Sequence, residues 1–393
     1  MLSTVPIRAG LPKTMMPATQ DYRAPKLANV LIGEIERLCQ VLDRPIKIME
    51  VCGGHTHAIF KYGLESLLPE AIDLIHGPGC PVCVMPRGRI DEAIALAQKP
   101  GVIFATFGDV LRVPGSQTSL LQAKACGADV RAVYSPMDAL TLAVDHPDRE
   151  VVFFAIGFET TAPSVAMTIL EAERRGIENF SAFCNHVLVL PALEALLEIP
   201  DLSLDGFIGP GHVSTIIGWE PYGAIVDRYN RPIIISGFEP LDLLQSIWML
   251  LSQLVEGRSE VENQYRRLVQ RQGNQRAIAA MSQVFRVRDT FEWRGLGELA
   301  GSGFEIAPAY VRFDAEHKFA IERSQAKDSP ACRCAEIVRG QISPWQCKVF
   351  GKACTPDTPL GACMVSSEGA CAAYYKYGCN AAATQLPHLA IVR

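Results

Sequence analysis

The sequence predicts an α/β fold. Two similar doubly wound parallel-sheet domains, related by an internal repeat, are followed by a mostly helical and loop domain. Three observations predict it. Short apolar runs recur over 46–236 with helix-length segments between them, as in parallel strands joined by crossover helices. The runs are continuous rather than alternating, which suits strands buried on both faces. After residue 240 the alternation stops. A chain of 393 residues is long enough for two or three domains, and 49% hydrophobic with 20% charged residues excludes a disordered or fibrous polymer.

Residues 1–25, rich in Pro, Thr and Met, read as a loose arm. A helix is expected from about Asn29 to Leu42, and the unit 1–45 is expected to pack with the C-terminal domain. Strands are expected at 46–51 (IKIMEV), 72–75 (IDLI), 102–106 (VIFAT) and 130–134 (VRAVY), giving a first α/β domain over 46–145. A second set at 151–156 (VVFFAI), 180–184 (FSAFC), 206–208 (GFI) and 232–236 (PIIIS) gives a second domain over 146–240. Crossover helices are expected at 89–98 and 163–175. Strand starts recur at roughly 25–30-residue intervals. The last strand of each set is followed by similar text, SPMDAL at 135–140 and EPLDLL at 239–244, which suggests the repeat. From 241, LDLLQSIWMLLSQLVEG has helical apolar spacing and a terminal Gly. Helices are expected to continue through 261–285, and beyond 290 the chain turns irregular and Gly-rich. Residues 241–393 form the third region.

The N-terminus lacks the basic region and apolar core of a secretory signal. No apolar run reaches the ~20 residues of a bilayer span. A net charge of −5 gives no electrostatic case for nucleic acid or an anionic membrane. A soluble cytoplasmic protein is expected. Thiols stay reduced there, so clustered cysteines point to metal or redox chemistry.

In open parallel sheets functional residues gather where strands end, and the candidates sit at such edges. Cys52-Gly-Gly-His55-Thr-His57 follows the first strand. A thiolate with two imidazoles suits Fe, Zn or Cu(I), the alternative being a cysteine buried for packing. Gly77-Pro-Gly-Cys80-Pro-Val-Cys83 follows the second. Cys80 and Cys83 form either half a zinc site or a redox dithiol. No second Cys-x-x-Cys exists, which favours the dithiol. Gly157-Phe-Glu159-Thr160-Thr161 follows the fifth strand but lacks any nucleotide-binding glycine pattern. Glu159 reads as an acid/base or as a helix N-terminal carboxylate, and Thr160 as a capping residue. Gly209-Pro-Gly-His212 follows the seventh, where His212 is a candidate proton donor, and Gly237-Phe-Glu-Pro240 follows the eighth.

Seven of the 13 cysteines lie in the tail: Cys332, Cys334, Cys347, Cys354, Cys363, Cys371 and Cys379. The spacing C-x-C-x12-C-x6-C-x8-C-x7-C-x7-C lacks the close pairs of zinc sites. Four irregularly spaced thiolates suit a [4Fe–4S] cluster, leaving three for a redox-active pair; zinc and plain disulfides are the competing readings. The third region is therefore expected to be an iron–sulfur domain. Cys39, Cys126 and Cys184 read as packing residues.

These residues together resemble one family, the hydrogenase maturation protein HypD. The resemblance runs through CGGHTHAI at 52–59, GPGCPVC at 77–83, GFETT at 157–161, GPGHVS at 209–214, EWRGLG at 292–297 and the tail cysteines. It implies a role in building the Fe(CN)2CO unit of [NiFe]-hydrogenases, in complex with a small HypC-type chaperone whose N-terminal cysteine shares the iron. Cyanide would come from HypE, charged by HypF. It further implies Cys52 as an iron ligand, with His55 orienting the site and His57 assisting. Cys80 and Cys83 would switch between dithiol and disulfide, and Glu159 and His212 would handle protons or hydrogen-bond the diatomic ligands. By analogy with ferredoxin:thioredoxin reductase, Cys334 and Cys363 are the expected tail redox pair. The cluster ligands are then four of Cys332, Cys347, Cys354, Cys371 and Cys379. A monomer in transient hetero-complexes is expected. A ferredoxin-linked protein-disulfide reductase and a structural zinc-binding adaptor are the alternatives.

Overall fold

The structure is a computed structural model, and it describes residues 21–324 and 326–378. Helix α1 (Pro25–Leu42) buries Ala28, Leu31, Ile35, Leu38 and Cys39, spaced on one face. Next come β1 (Ile46–Glu50), α2 (Gly53–Tyr62), β2 (Ile72–His76), α3 (Pro81–Val84), α4 (Arg87–Ala97), β3 (Val102–Thr106), α5 (Leu120–Ala125), β4 (Val130–Ala132) and α6 (Pro136–Asp145). The alternation continues through β5 (Glu150–Gly157), α7 (Ala162–Arg175), β6 (Phe180–His186), α8 (Val189–Leu197), β7 (Gly206–Pro210), α9 (Gly211–Ile217), α10 (Gly223–Tyr229), β8 (Ile233–Ser236) and α11 (Pro240–Glu256). Then follow β9 (Val261–Asn263), α12 (Gln275–Val284), β10 (Phe285–Val287), β11 (Thr290–Trp293), β12 (Gly297–Ala300) and β13 (Phe304–Ile306). The short helices α13 (Ala315–Lys318), α14 (Cys334–Val338) and α15 (Ala370–Ala373) complete it, with a 3-10 turn at Ala362–Met364.

Two parallel sheets organise the chain. One has the order β2-β1-β7-β8-β9 and the other β4-β3-β5-β6. The eight expected strands are all present, and β5 is buried along its length after Glu150. The expected boundary at 145/146 does not separate the sheets. Ile48 of β1 lies opposite Gly206 of β7, and Val102 of β3 opposite Glu150 of β5. The four-stranded sheet is an insertion between β2 and β7. Strand spacing reports unit length, whereas pairing is chosen by long-range packing, so spacing alone could not place this division. The repeat does not hold as drawn either. SPMDAL follows the edge strand β4, while EPLDLL follows the interior strand β8. The sheets do share an order: the second strand in sequence lies outside the first, and the third on its other side. Residues 261–285 are also not continuous helix, because Val261–Asn263 adds a fifth parallel strand beside β8. Beyond 285, β10 pairs antiparallel with β13, and β11 with β12.

Helices α1 and α11 pack on each other against one face of the five-stranded sheet, through Leu38, Ile48, Leu244 and Leu251. A second core, including Val165, Ile169 and Met281, covers one face of the four-stranded sheet. The largest core lies between the sheets and runs into the cysteine-rich segment, joining Phe104, Phe154, Phe207, Cys83, Cys334 and Cys363. Each fully buried aliphatic or aromatic side chain contributes roughly 1.5–3 kcal/mol, so this shared core ties the tail to both sheets. Among the described residues no helix is long and apolar enough to cross a membrane.

Candidate functional site

An open sheet of this order has a crevice at the carboxyl ends of its strands, where connections diverge to opposite sides. In the first sheet that point lies between β1 and β7, in the second between β3 and β5. One cleft of about 610 Å³ is lined from all four strand ends: Cys52 after β1, His212 after β7, Asp109 after β3, and Phe158 and Thr160 after β5. The cysteine-rich segment closes it with Ser366, Ser367 and Glu368.

Cys52 caps the start of α2 in extended backbone, with the first turn of the helix folding over it. Its N–H donates to Glu50 Oε2 at 2.9 Å, and the N–H of Gly53 donates to the Gly79 carbonyl at 3.0 Å. Gly79 lies so close to the Cys52 backbone that any Cβ would overlap it, which accounts for the glycine before Cys80. Burial, with Glu368 and Glu50 nearby, pushes the Cys52 thiol well above its ordinary range. A bound cation would reverse that penalty. Glu50 is fully buried and also accepts from the Thr56 hydroxyl. Its Oε1 lies 2.8 Å from His76 Nδ1, whose Nε2 lies 3.2 Å from Glu65 Oε1. Burial would lower His76, but these carboxylates raise it to about 9, so a buried imidazolium faces Glu50.

His55 is buried, with Nε2 3.2 Å from the Ser236 carbonyl. A carbonyl only accepts, so Nε2 carries the proton and Nδ1 holds the lone pair. Nδ1 is buried with no partner among the described residues. His57 lies two residues on, across the helix from His55, with its Nδ1 3.4 Å from the Ser367 carbonyl. Glu159 does not line the cleft. It is 4% exposed, accepts from the Val189 N–H at 3.0 Å, and is raised to about 7 by burial. Thr161 rather than Thr160 precedes α7, and no side chain caps that helix.

Cys80 and Cys83 are both 3% exposed, and Cys80 Sγ accepts from the Cys83 N–H at 3.3 Å. Burial and the Cys80 sulfur push Cys83 up; Cys371 adds to this and Arg294 opposes it. Arg294, from EWRGLG, anchors the loop by donating to the Met85 carbonyl at 2.7 Å. Helix α3 packs against both α14 and the 362–364 turn. Those two segments carry Cys334 and Cys363, which are joined by a disulfide with Cα atoms 6.2 Å apart.

Beyond the disulfide lies a second cavity. Cys332, Cys347, Cys354 and Cys371 line it as free thiols, beside the disulfide pair, Val349 and Phe350. Burial raises the Cys371 thiol, and Cys332, Cys354 and Cys347 raise it further. A Cβ at Gly361 would overlap Cys332 Sγ, so this wall is cut to fit around the thiols. In number and kind these four thiols match the donor set of a [4Fe–4S] cluster, while among the described residues no three His, Cys, Asp or Glu side chains are grouped closely enough to hold a single metal ion. Cys379 lies outside the described residues. Asp109, Glu368, Glu50 and His76 were not singled out in the sequence. Only Glu50 left a signal there, as a charge ending an apolar strand.

The chain matches the family model described as "HypD: Hydrogenase formation hypA family" over residues 26–378. It is 53% identical to the hydrogenase maturation factor HypD of Rhodobacter capsulatus over 371 residues, covering 92% of this chain and 98% of that protein. It is 54% identical to the hydrogenase maturation factor HypD of Escherichia coli (strain K12), covering 91% and 97%. It is 58% identical to that of Azotobacter vinelandii, covering 85% and 90%. With a two-sheet cleft around Cys52 and matches of this length, the chain belongs to the HypD family of hydrogenase maturation factors.

Proposed function

We propose that the chain is a cytoplasmic, redox-active scaffold on which the Fe(CN)2CO unit is assembled. A small HypC-type chaperone shares the iron, and HypE, charged by HypF, delivers cyanide. The observation that carries this reading is the placement of Cys52 in a cleft, with Cys80 and Cys83 between it and the four-thiol cavity. The iron is cargo here. Cys52 supplies a thiolate to it, and a cationic iron offsets the burial that otherwise keeps the thiol protonated. Glu50 and the imidazolium of His76 hold the Cys52 backbone in place. Asp109 and Glu368, both raised first by burial, can keep or pass protons beside the cargo, and His212 stands on the same wall.

Cys332, Cys347, Cys354 and Cys371 would hold a [4Fe–4S] cluster, which supplies single electrons when bound. Thiol–disulfide exchange then connects the cysteine pairs. As a dithiol, Cys334 and Cys363 attack an oxidised Cys80–Cys83 bond through a mixed disulfide. Two electrons and two protons pass from one pair to the other, one disulfide breaking as the other forms.

Cys52→Ala, purified anaerobically with the small chaperone, is expected to lose the infrared bands of iron-bound CO and cyanide while keeping the tail chromophore. Retention of those bands would overturn the ligand assignment. The Cys334–Cys363 disulfide also favours a second reading, a ferredoxin-linked protein-disulfide reductase, which would show multiple turnovers and no diatomic bands. Zinc without acid-labile sulfide would instead indicate a structural adaptor.

A further inference from the structure

The loop after β8, Gly237-Phe238-Glu239-Pro240, has no part in the chemistry above, yet two site motifs meet on its ring. Phe238 stacks on His55, with centroids 4.7 Å apart and planes at 30°. On His212 it stacks at 3.8 Å and 20°. The glycines opposite make room for it: a Cβ on Gly54 would come within 2.8 Å of the ring, and one on Gly211 within 3.1 Å. So CGGH after β1 and GPGH after β7 each place a glycine and a histidine against one phenyl group.

The ring is held from behind. The Gly237 N–H donates to Gln264 Oε1 at 3.1 Å, and the Glu239 N–H to Asp242 Oδ2 at 3.1 Å. Asp242 is fully buried and is fixed by Arg267 Nη1 and Gln264 Nε2, each at 2.8 Å. Arg267 stacks on Tyr265, whose edge meets Phe238 at 5.9 Å. The Ser236 carbonyl that binds His55 opens the same loop. A side chain filling space needs none of these constraints on its backbone.

We propose that Phe238 is a positioning residue for the Cys52 site. Its ring is the common wall that sets the plane of His212 in the cleft and the plane of His55 beneath it. The proposal deepens the scaffold reading and rests on it for its second measurement only. Offset stacking of aromatic rings is directional, so a residue of similar volume without a ring fills the space and loses the orientation.

Phe238→Leu and Phe238→Tyr are compared with the parent in the full chain, purified anaerobically with the chaperone. With histidine labelled at its ring carbons, the nuclear Overhauser signals that tie the ring protons of His55 and His212 to their fixed backbone neighbours, which report ring orientation and not the phenyl ring current, are expected to move in the Leu variant. Those of the other histidines should stay, and the Tyr variant should keep the parent positions. In the same samples the CO and cyanide bands are expected to fall at least tenfold with Leu and recover with Tyr, the tail chromophore being constant in all three. Unmoved histidine signals, or full-strength bands in the Leu variant, would overturn the proposal. Parent protein without such bands, but with the expected histidine shifts, would sink the scaffold reading and leave the positioning role standing.

Discussion

A carboxylate buried among apolar groups ionises reluctantly, and Glu159 is in that position: burial raises it from 4.5 to about 7. Between those pH values the folded chain binds a proton that the unfolded chain has released. Stability therefore falls as pH rises through that window, by up to about 3 kcal/mol. Glu159→Gln is expected to flatten this dependence, and chemical denaturation at pH 5 and pH 8 measures it. An equal slope in both proteins would contradict the assignment. In sequence, Glu159 read as a site acid or as a helix-end carboxylate, because spacing shows that a residue ends a strand but not which way its side chain turns. The same blindness hid the partners of Cys52. Asp109 sits on a short turn after β3. Glu368 sits between two tail cysteines with no periodicity around it. Only folding brings them to one cleft.

At the scale of the element, legibility followed burial. Strands covered on both faces have continuous apolar text, and β3 and β5 were readable to within a residue or so of their ends. β9 was not: its three residues are all half-buried, and VEN carries no strand signal. The cysteine-rich segment has little regular structure, so its order rests on close approaches rather than ladders. Gly361 is the sharpest of these, since its Cα faces Cys332 Sγ. Gly361→Ala is expected to reduce iron and acid-labile sulfide at least severalfold while the far-ultraviolet circular dichroism is unchanged. Full iron loading of that variant would show that the cavity wall yields, against the geometry described.

For the whole molecule, the sheets interleave two halves of the chain. A fragment of residues 46–145 separates β1 from β7 and β3 from β5. It is expected to show no cooperative unfolding and poor amide dispersion, although its length and composition suit a domain. A dispersed, cooperatively folded fragment would refute the interleaved topology. That topology also bears on the order of events during synthesis. β1 emerges from the ribosome early, but its neighbour β7 begins only at Gly206. At ~5–20 residues per second the delay is on the order of ten seconds. Throughout it the Cys52 turn lacks the wall bearing His212, and the cysteine-rich segment that closes the cleft arrives later still. The cleft at Cys52 is thus completed only after the segment bearing Ser366, Ser367 and Glu368 has been synthesised.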